Sequence, residues 1–115
     1  MKKHILRIRE IDKDFFDIIE NGLKTIETRA ATNKLRAIKK GDILVFVCGD
    51  KKLEKRVKEV SYFKTIEELI KKIDLKKIMP LVSSLEEAKK VWYSFPNYEK
   101  KISKFGLLAF DLEKD

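Results

Sequence analysis

Cysteine and histidine are almost missing from this chain: Cys48 and His4 are the only examples in 115 residues. One of each allows neither a disulfide nor a closed zinc site, which takes four Cys or His ligands. A Ser-His-Asp or Cys-His triad would have to be built on His4, near the first residue. No metal and no cofactor are therefore expected. The unpaired thiol fits a reducing compartment. No segment approaches the ~18 consecutive apolar residues of a membrane span, and the opening Met1-Lys2-Lys3-His4 leads straight into alternating residues rather than a signal-peptide core. The expectation is a soluble cytoplasmic protein without a membrane partner. There is no internal repeat, no Ser/Gly-rich linker and no low-complexity tract, and the length suits one compact domain over residues 1–115.

What the chain has in excess is positive charge. Its 27 basic and 19 acidic residues leave a net +8, and glutamine is absent. An excess of this size suggests a polyanionic partner. Most of the cations are lysine, however, and Lys/Glu enrichment with few thermolabile amides also marks hyperthermophile proteins. The excess therefore has two readings, an anionic partner and bulk composition.

The hydrophobic pattern orders the elements. Residues 3–9 read as a strand, with Leu6 and Ile8 on one face and Arg7 and Arg9 on the other. Asp12 offers an N-cap to a short helix carrying Phe15, Phe16, Ile18 and Ile19, which Asn21-Gly22 ends. Residues 24–30 read as a second strand. Lys39-Lys40-Gly41-Asp42 is a turn before the apolar strand 43–48. Residues 52–62 form a fourth strand in which Val57 and Val60 are out of phase, which predicts a bulge. Thr65-x-x-Glu68 and Ser84-x-x-Glu87 are capping boxes opening two amphipathic helices, with Pro80 and Pro96 punctuating the ends. Residues 105–112 return as a buried strand pairing with an early one. Helices that interrupt short strands without βαβ alternation indicate an α+β fold whose small sheet bends back on itself.

The segment Gly22-Leu23-Lys24-Thr25-Ile26-Glu27-Thr28-Arg29 follows a strand with Arg7-x-Arg9 and a helix, and precedes Lys39-x-Gly41-Asp42. In this order it resembles the signature of the ASCH family, and Tyr62-Phe63-x-Thr65-Ile66-Glu67-Glu68-Leu69 and the closing Phe105-Gly106 strand fit the same layout. The resemblance spans nearly the whole chain. It implies a PUA-like, closed or partly open mixed β-barrel of about five to six strands with helices at its sides, and RNA or a nucleoside as partner. Two activities attached to members are ribonuclease action and hydrolysis of the acyl amide of acylated cytidines. The second is assigned to a lysine, a threonine and a glutamate. The lysine falls on Lys24, while the threonine position holds Glu27 and the glutamate has no clear counterpart.

The residues carry their own reading. With Ile26 facing the core, Thr25, Glu27 and Arg29 share the opposite face. Lys24 joins them only if it lies in the turn before the ladder. If the first two strands are neighbours, Arg7, Arg9, Glu27 and Arg29 cluster with Lys24 at the rim. One outcome is a solvated cross-strand ion-pair ladder. The other is a nucleotide cleft, in which arginine forks fit phosphate and a carboxylate accepts from a base amino group. If the protein is an enzyme, Lys24 and Glu27 are the catalytic candidates, as base or oxyanion stabiliser. A protein-interaction module is the third reading. The basic stretches containing Lys34, Arg36 and Lys40, and residues 51–58, are either solvated loop and edge strand or a phosphate-tracking groove. Tyr62, Trp92, Tyr93, Phe95 and Tyr98 are candidate stacking surfaces. Trp92 is expected in the core, as are Phe15, Phe16, Phe46 and Phe110, and Tyr93 and Tyr98 are expected exposed. His4 reads as a neutral surface residue and Cys48 as a small buried hydrophobe.

Overall fold

A computed structural model describes residues 1–114. Five strands form one mixed sheet: β1 (Lys3–Arg7), β2 (Ile26–Ala30), β3 (Ile43–Cys48), β4 (Lys51–Phe63) and β5 (Leu107–Leu112). Their spatial order is β1-β3-β4-β5-β2. The β1–β3 pair is parallel, and β3–β4, β4–β5 and β5–β2 are antiparallel. The sheet is bent but not closed, because β1 and β2 are its two edges and share no ladder. The six helices are α1 (Lys13–Glu20), α2 (Asn33–Arg36), α3 (Ile66–Lys72), α4 (Leu75–Ile78), α5 (Leu85–Ser94) and α6 (Tyr98–Phe105).

The bend lies in β4. Its first half pairs with β3 and its second half with β5, and the register shifts between Val57 and Glu59. This is the bulge that the phase slip between Val57 and Val60 predicts. The extra residue turns the strand and lets it serve both halves of the sheet.

Two apolar clusters lie on opposite faces of β5. Leu108, Phe110 and Leu112 pack inside the curl of the sheet with Leu6, Phe16, Leu44 and Phe46. Leu107 and Ala109 face outward beneath the later helices, with Ile66, Leu69, Ile78, Ala88, Trp92 and Ile102. Burial on both faces explains why this strand reads as an unbroken apolar run rather than an alternation.

Both N-caps form, while the glutamates of the two boxes accept one residue earlier, from Lys64 N and Ser83 N. Thr65 Oγ1 accepts from Glu68 N at 3.1 Å, and Ser84 Oγ from Glu87 N at 3.2 Å. The strand expected over 3–9 ends at Arg7, because the chain enters a 3-10 turn at Glu10–Asp12. The strand expected from residue 24 starts at Ile26, and that expected from 105 starts at Leu107. Gly106, at φ 81°, separates α6 from β5. The short helices α2, α4 and α6 are additions to the sequence reading. Lysines separate Tyr98, Ile102 and Phe105 along α6, which thins its apolar stripe.

His4, expected as a neutral surface residue, is half-buried and has a carboxylate partner. Its Nε2 lies 2.9 Å from Asp42 Oδ2, and Asp42 also accepts from Lys2 N and Lys39 N. The bonds from His4, Lys39 and Lys2 hold the Asp42 carboxyl well below the usual carboxylate range. They pin the chain start to the turn before β3. Cys48 is buried, as its sequence setting suggests.

Candidate functional site

The turn after α1 sets the geometry. Asn21 Oδ1 accepts from Leu23 N at 2.9 Å, Gly22 takes φ 83°, and Lys24 N donates to Ile18 O at 2.9 Å. Lys24 thus leaves the helix end just ahead of the β2 ladder and is freed from strand alternation. Within β2 the period holds. Ile26 and Ala30 join the outer cluster. Glu27 is in register with Phe110 and Arg29 with Leu108, so these two charges share the inner face of the curl with apolar neighbours.

Lys24, Glu27 and Arg29 form a buried ionic triad. Lys24 is 7% and Glu27 6% exposed. Glu27 Oε1 lies 3.2 Å from Lys24 Nζ and accepts from Thr28 N at 3.0 Å. Its Oε2 accepts from Arg29 Nη2 at 3.1 Å and Nε at 3.4 Å. Burial pushes the Glu27 carboxyl up, but the Lys24 ammonium and Arg29 guanidinium outweigh it and hold the group below its ordinary value. Glu27 is therefore a carboxylate at neutral pH.

Arg29 also reaches across the open side of the sheet. Its Nη1 and Nη2 each donate to Arg7 O at 3.3 Å. This guanidinium clasp takes the place of a β1–β2 ladder, and a cavity of about 250 Å³ lies beside it. Lys24, Glu27, Arg29, Arg7 and Arg9 line one side of it, and Phe15, Met79, Trp92, Phe95 and Tyr98 supply apolar and aromatic wall. Trp92 Nε1 donates to Thr28 Oγ1 at 3.0 Å, which fixes its ring against β2. Phe95 packs edge-on against both Phe15 and Tyr98, with ring centroids 6.3 and 5.4 Å apart. The Arg9 guanidinium stacks 5.2 Å from the Phe95 centroid while its Nε donates to Asp12 Oδ2 at 2.7 Å.

The other candidates separate from this group. Lys34, on α2, lines a neighbouring depression rather than the cavity. Arg36 lies elsewhere: its Nε donates to Ala31 O at 2.7 Å and its Nη2 to Phe105 O at 3.1 Å, over the Tyr62 ring. Lys40 lies 3.6 Å from Glu59 Oε2, away from the cavity. Tyr62 and Tyr93 do not line it either. Two aromatic expectations are corrected. Tyr98 is half-buried, its hydroxyl accepting from Ala30 N at 3.2 Å, and burial pushes its phenol up. Phe15 is cavity wall rather than closed core. Lys101 and Met79 are lining residues that the sequence reading did not single out, and Asp12, expected as an N-cap, makes no side-chain cap bond and lines the cavity instead. For Lys101 a signal existed, since it lies one turn after Tyr98 on the same face of α6. Among the described residues no His/Cys/Asp/Glu group could hold a metal ion, and no helix is long and apolar enough to cross a membrane.

Comparison with known proteins gives a family match and structural matches. The ASCH domain model matches residues 10–114. The crystal structure of the hypothetical protein PH0355 superposes with a TM-score of 0.83 at 31% identity, covering 98% of each chain. The solution structure of protein PF0455 from Pyrococcus furiosus superposes with a TM-score of 0.75 at 31% identity, covering 98% of this chain and 96% of that one. No protein with a curated description matches.

Proposed function

Because the chain belongs to the ASCH domain family, which is generally thought to bind RNA, we propose that the cavity beside the Arg29 clasp seats one nucleoside unit of an RNA ligand. The observation that carries this reading is the union, in about 250 Å³, of aromatic walls with a buried Lys24–Glu27–Arg29 triad. Aromatic faces stack on a base whatever its sequence, and the Lys24 ammonium, which has three donors and only Glu27 as an ionic partner among the described residues, is placed to meet an acceptor on the base edge. Arg7 and Arg9 at the rim suit a phosphate or ribose.

Binding fits the triad better than hydrolysis does. A general base works best with a pKa near the working pH, whereas Glu27 is held low and both its oxygens are engaged. Lys24 would supply any oxyanion stabilisation in the hydrolase reading. The net +8 and the buried, unpaired Cys48 support a polyanionic partner and a reducing setting, and we assign residues 1–115 to one cytoplasmic RNA-binding domain.

Trp92 is the chain's single tryptophan and lines the cavity, so its indole N–H resonance is a built-in reporter. Titration with the four ribonucleosides and with short single-stranded RNA should shift that resonance saturably. RNA binding that leaves it unmoved would put the ligand on another face and overturn the assignment.

A further inference from the structure

A second depression, of about 420 Å³, adjoins the cavity on the far side of the clasp. The two share Arg7, Arg29, Tyr98 and Lys101 as a common wall. Their electrostatics differ. The cavity contains two carboxylates, Asp12 and Glu27, each paired with a cation. The second depression is lined by four cationic side chains, Arg7, Arg29, Lys34 and Lys101, and by no acidic one. Of these, only Arg29 has a carboxylate partner among the described residues. Like charges gathered without counter-charge repel one another, and a bound anion relieves that repulsion.

We propose that this second depression is a phosphodiester subsite, so that the ligand is a single-stranded polynucleotide with one base turned into the cavity, rather than a free nucleoside. The inference rests on the nucleotide reading of the cavity. A single strand splays its bases and exposes its backbone. From a base seated among Phe95, Trp92 and Tyr98, the chain passes over the shared wall and sets its next phosphates against Lys34 and Lys101.

Lys34 separates the two ideas, because it is exposed and touches the second depression alone. Binding of the four ribonucleosides and of eight-nucleotide single-stranded RNAs of each base would be measured from 50 to 300 mM salt, for the wild type, Lys34→Ala and Lys34→Glu. The octamer should bind at least roughly tenfold tighter than the nucleoside, with log K falling by about 0.7 per tenfold rise in salt for each phosphate neutralised. Lys34→Ala should remove about 0.7 of that slope and Lys34→Glu more, while both keep wild-type nucleoside affinity. Nucleosides that bind and shift the Trp92 indole, alongside an octamer slope untouched in both variants, would overturn the subsite and leave the cavity reading standing. No indole shift with any nucleoside or octamer would instead overturn the cavity reading, and the subsite with it.

Discussion

The buried triad makes a prediction that separates stability from recognition. Glu27→Gln removes the only anion from a cluster in which Lys24 is 7% and Glu27 6% exposed. What remains is a buried ammonium beside a guanidinium with no counter-charge. Removing one member of a buried ion pair costs about 3–5 kcal/mol. An unfolding entropy of about 2.1 cal/mol/K per residue makes 1 kcal/mol worth about 4 °C in Tm at this length, so Tm should fall by about 12–20 °C. Adding Lys24→Met to Glu27→Gln removes the stranded charge and fills its space with apolar atoms, a replacement that is often neutral or better. The double variant should recover most of the lost Tm, yet fail to shift the Trp92 indole with ribonucleosides. The pH dependence follows from the lowered Glu27 pKa. The stability that this group contributes is complete above the ordinary carboxylate range and disappears as pH falls through the folded value. The gap between wild type and Glu27→Gln should therefore be widest at neutral pH and close in acid. Thermal melts of the wild type and the single and double variants from pH 7 to pH 2 provide the measurement. A Glu27→Gln protein melting within 2–3 °C of wild type at pH 7 (roughly 0.5–0.75 kcal/mol at this length) would show the triad to be effectively solvated and refute the reasoning.

Two further outcomes are expected. Asp42→Asn removes the charge and turns one acceptor oxygen into an NH2 donor, so the bonds from His4, Lys2 N and Lys39 N cannot all be kept, and it should melt below wild type at pH 7. Because the Asp42 pKa is lowered, that difference should vanish in acid, and a pH-independent difference in thermal melts would show that the charge is not the cause. Gly106→Ala puts a Cβ 2.7 Å from Phe63 O at φ 81°. It should cost about 1–3 kcal/mol as a lower urea midpoint with an unchanged m-value, and an unchanged midpoint would contradict the strain.

Much of the frame was legible from residue order. The β4 bulge announced itself because a strand period of two cannot carry Val57 and Val60 on one face. The faces of β2 followed from Ile26, and the helix N-caps from Thr65 and Ser84. The meeting of the two edge strands was less legible. Pattern places Arg7 and Arg29 on strand faces, but their link runs from a guanidinium to a backbone carbonyl, and no side-chain sequence advertises a carbonyl. Phe15 and Tyr98 were misplaced for a related reason. Hydrophobic period distinguishes a packed face from a wet one, while a cavity wall is apolar and yet unpacked. Arg36 shows the opposite error, since a cation in a basic run looks free until the carbonyls of Ala31 and Phe105 come within its reach.

The way β1 and β2 are fastened has a mechanical consequence. Backbone rungs would make any widening of this mouth a cooperative rupture, since ladder bonds are lost together. Here two 3.3 Å contacts from one arginine hold the rims, each a bond with a net worth of roughly 1–3 kcal/mol at most. An anion seated in the proposed subsite would compete for the very guanidinium that bridges the two rims.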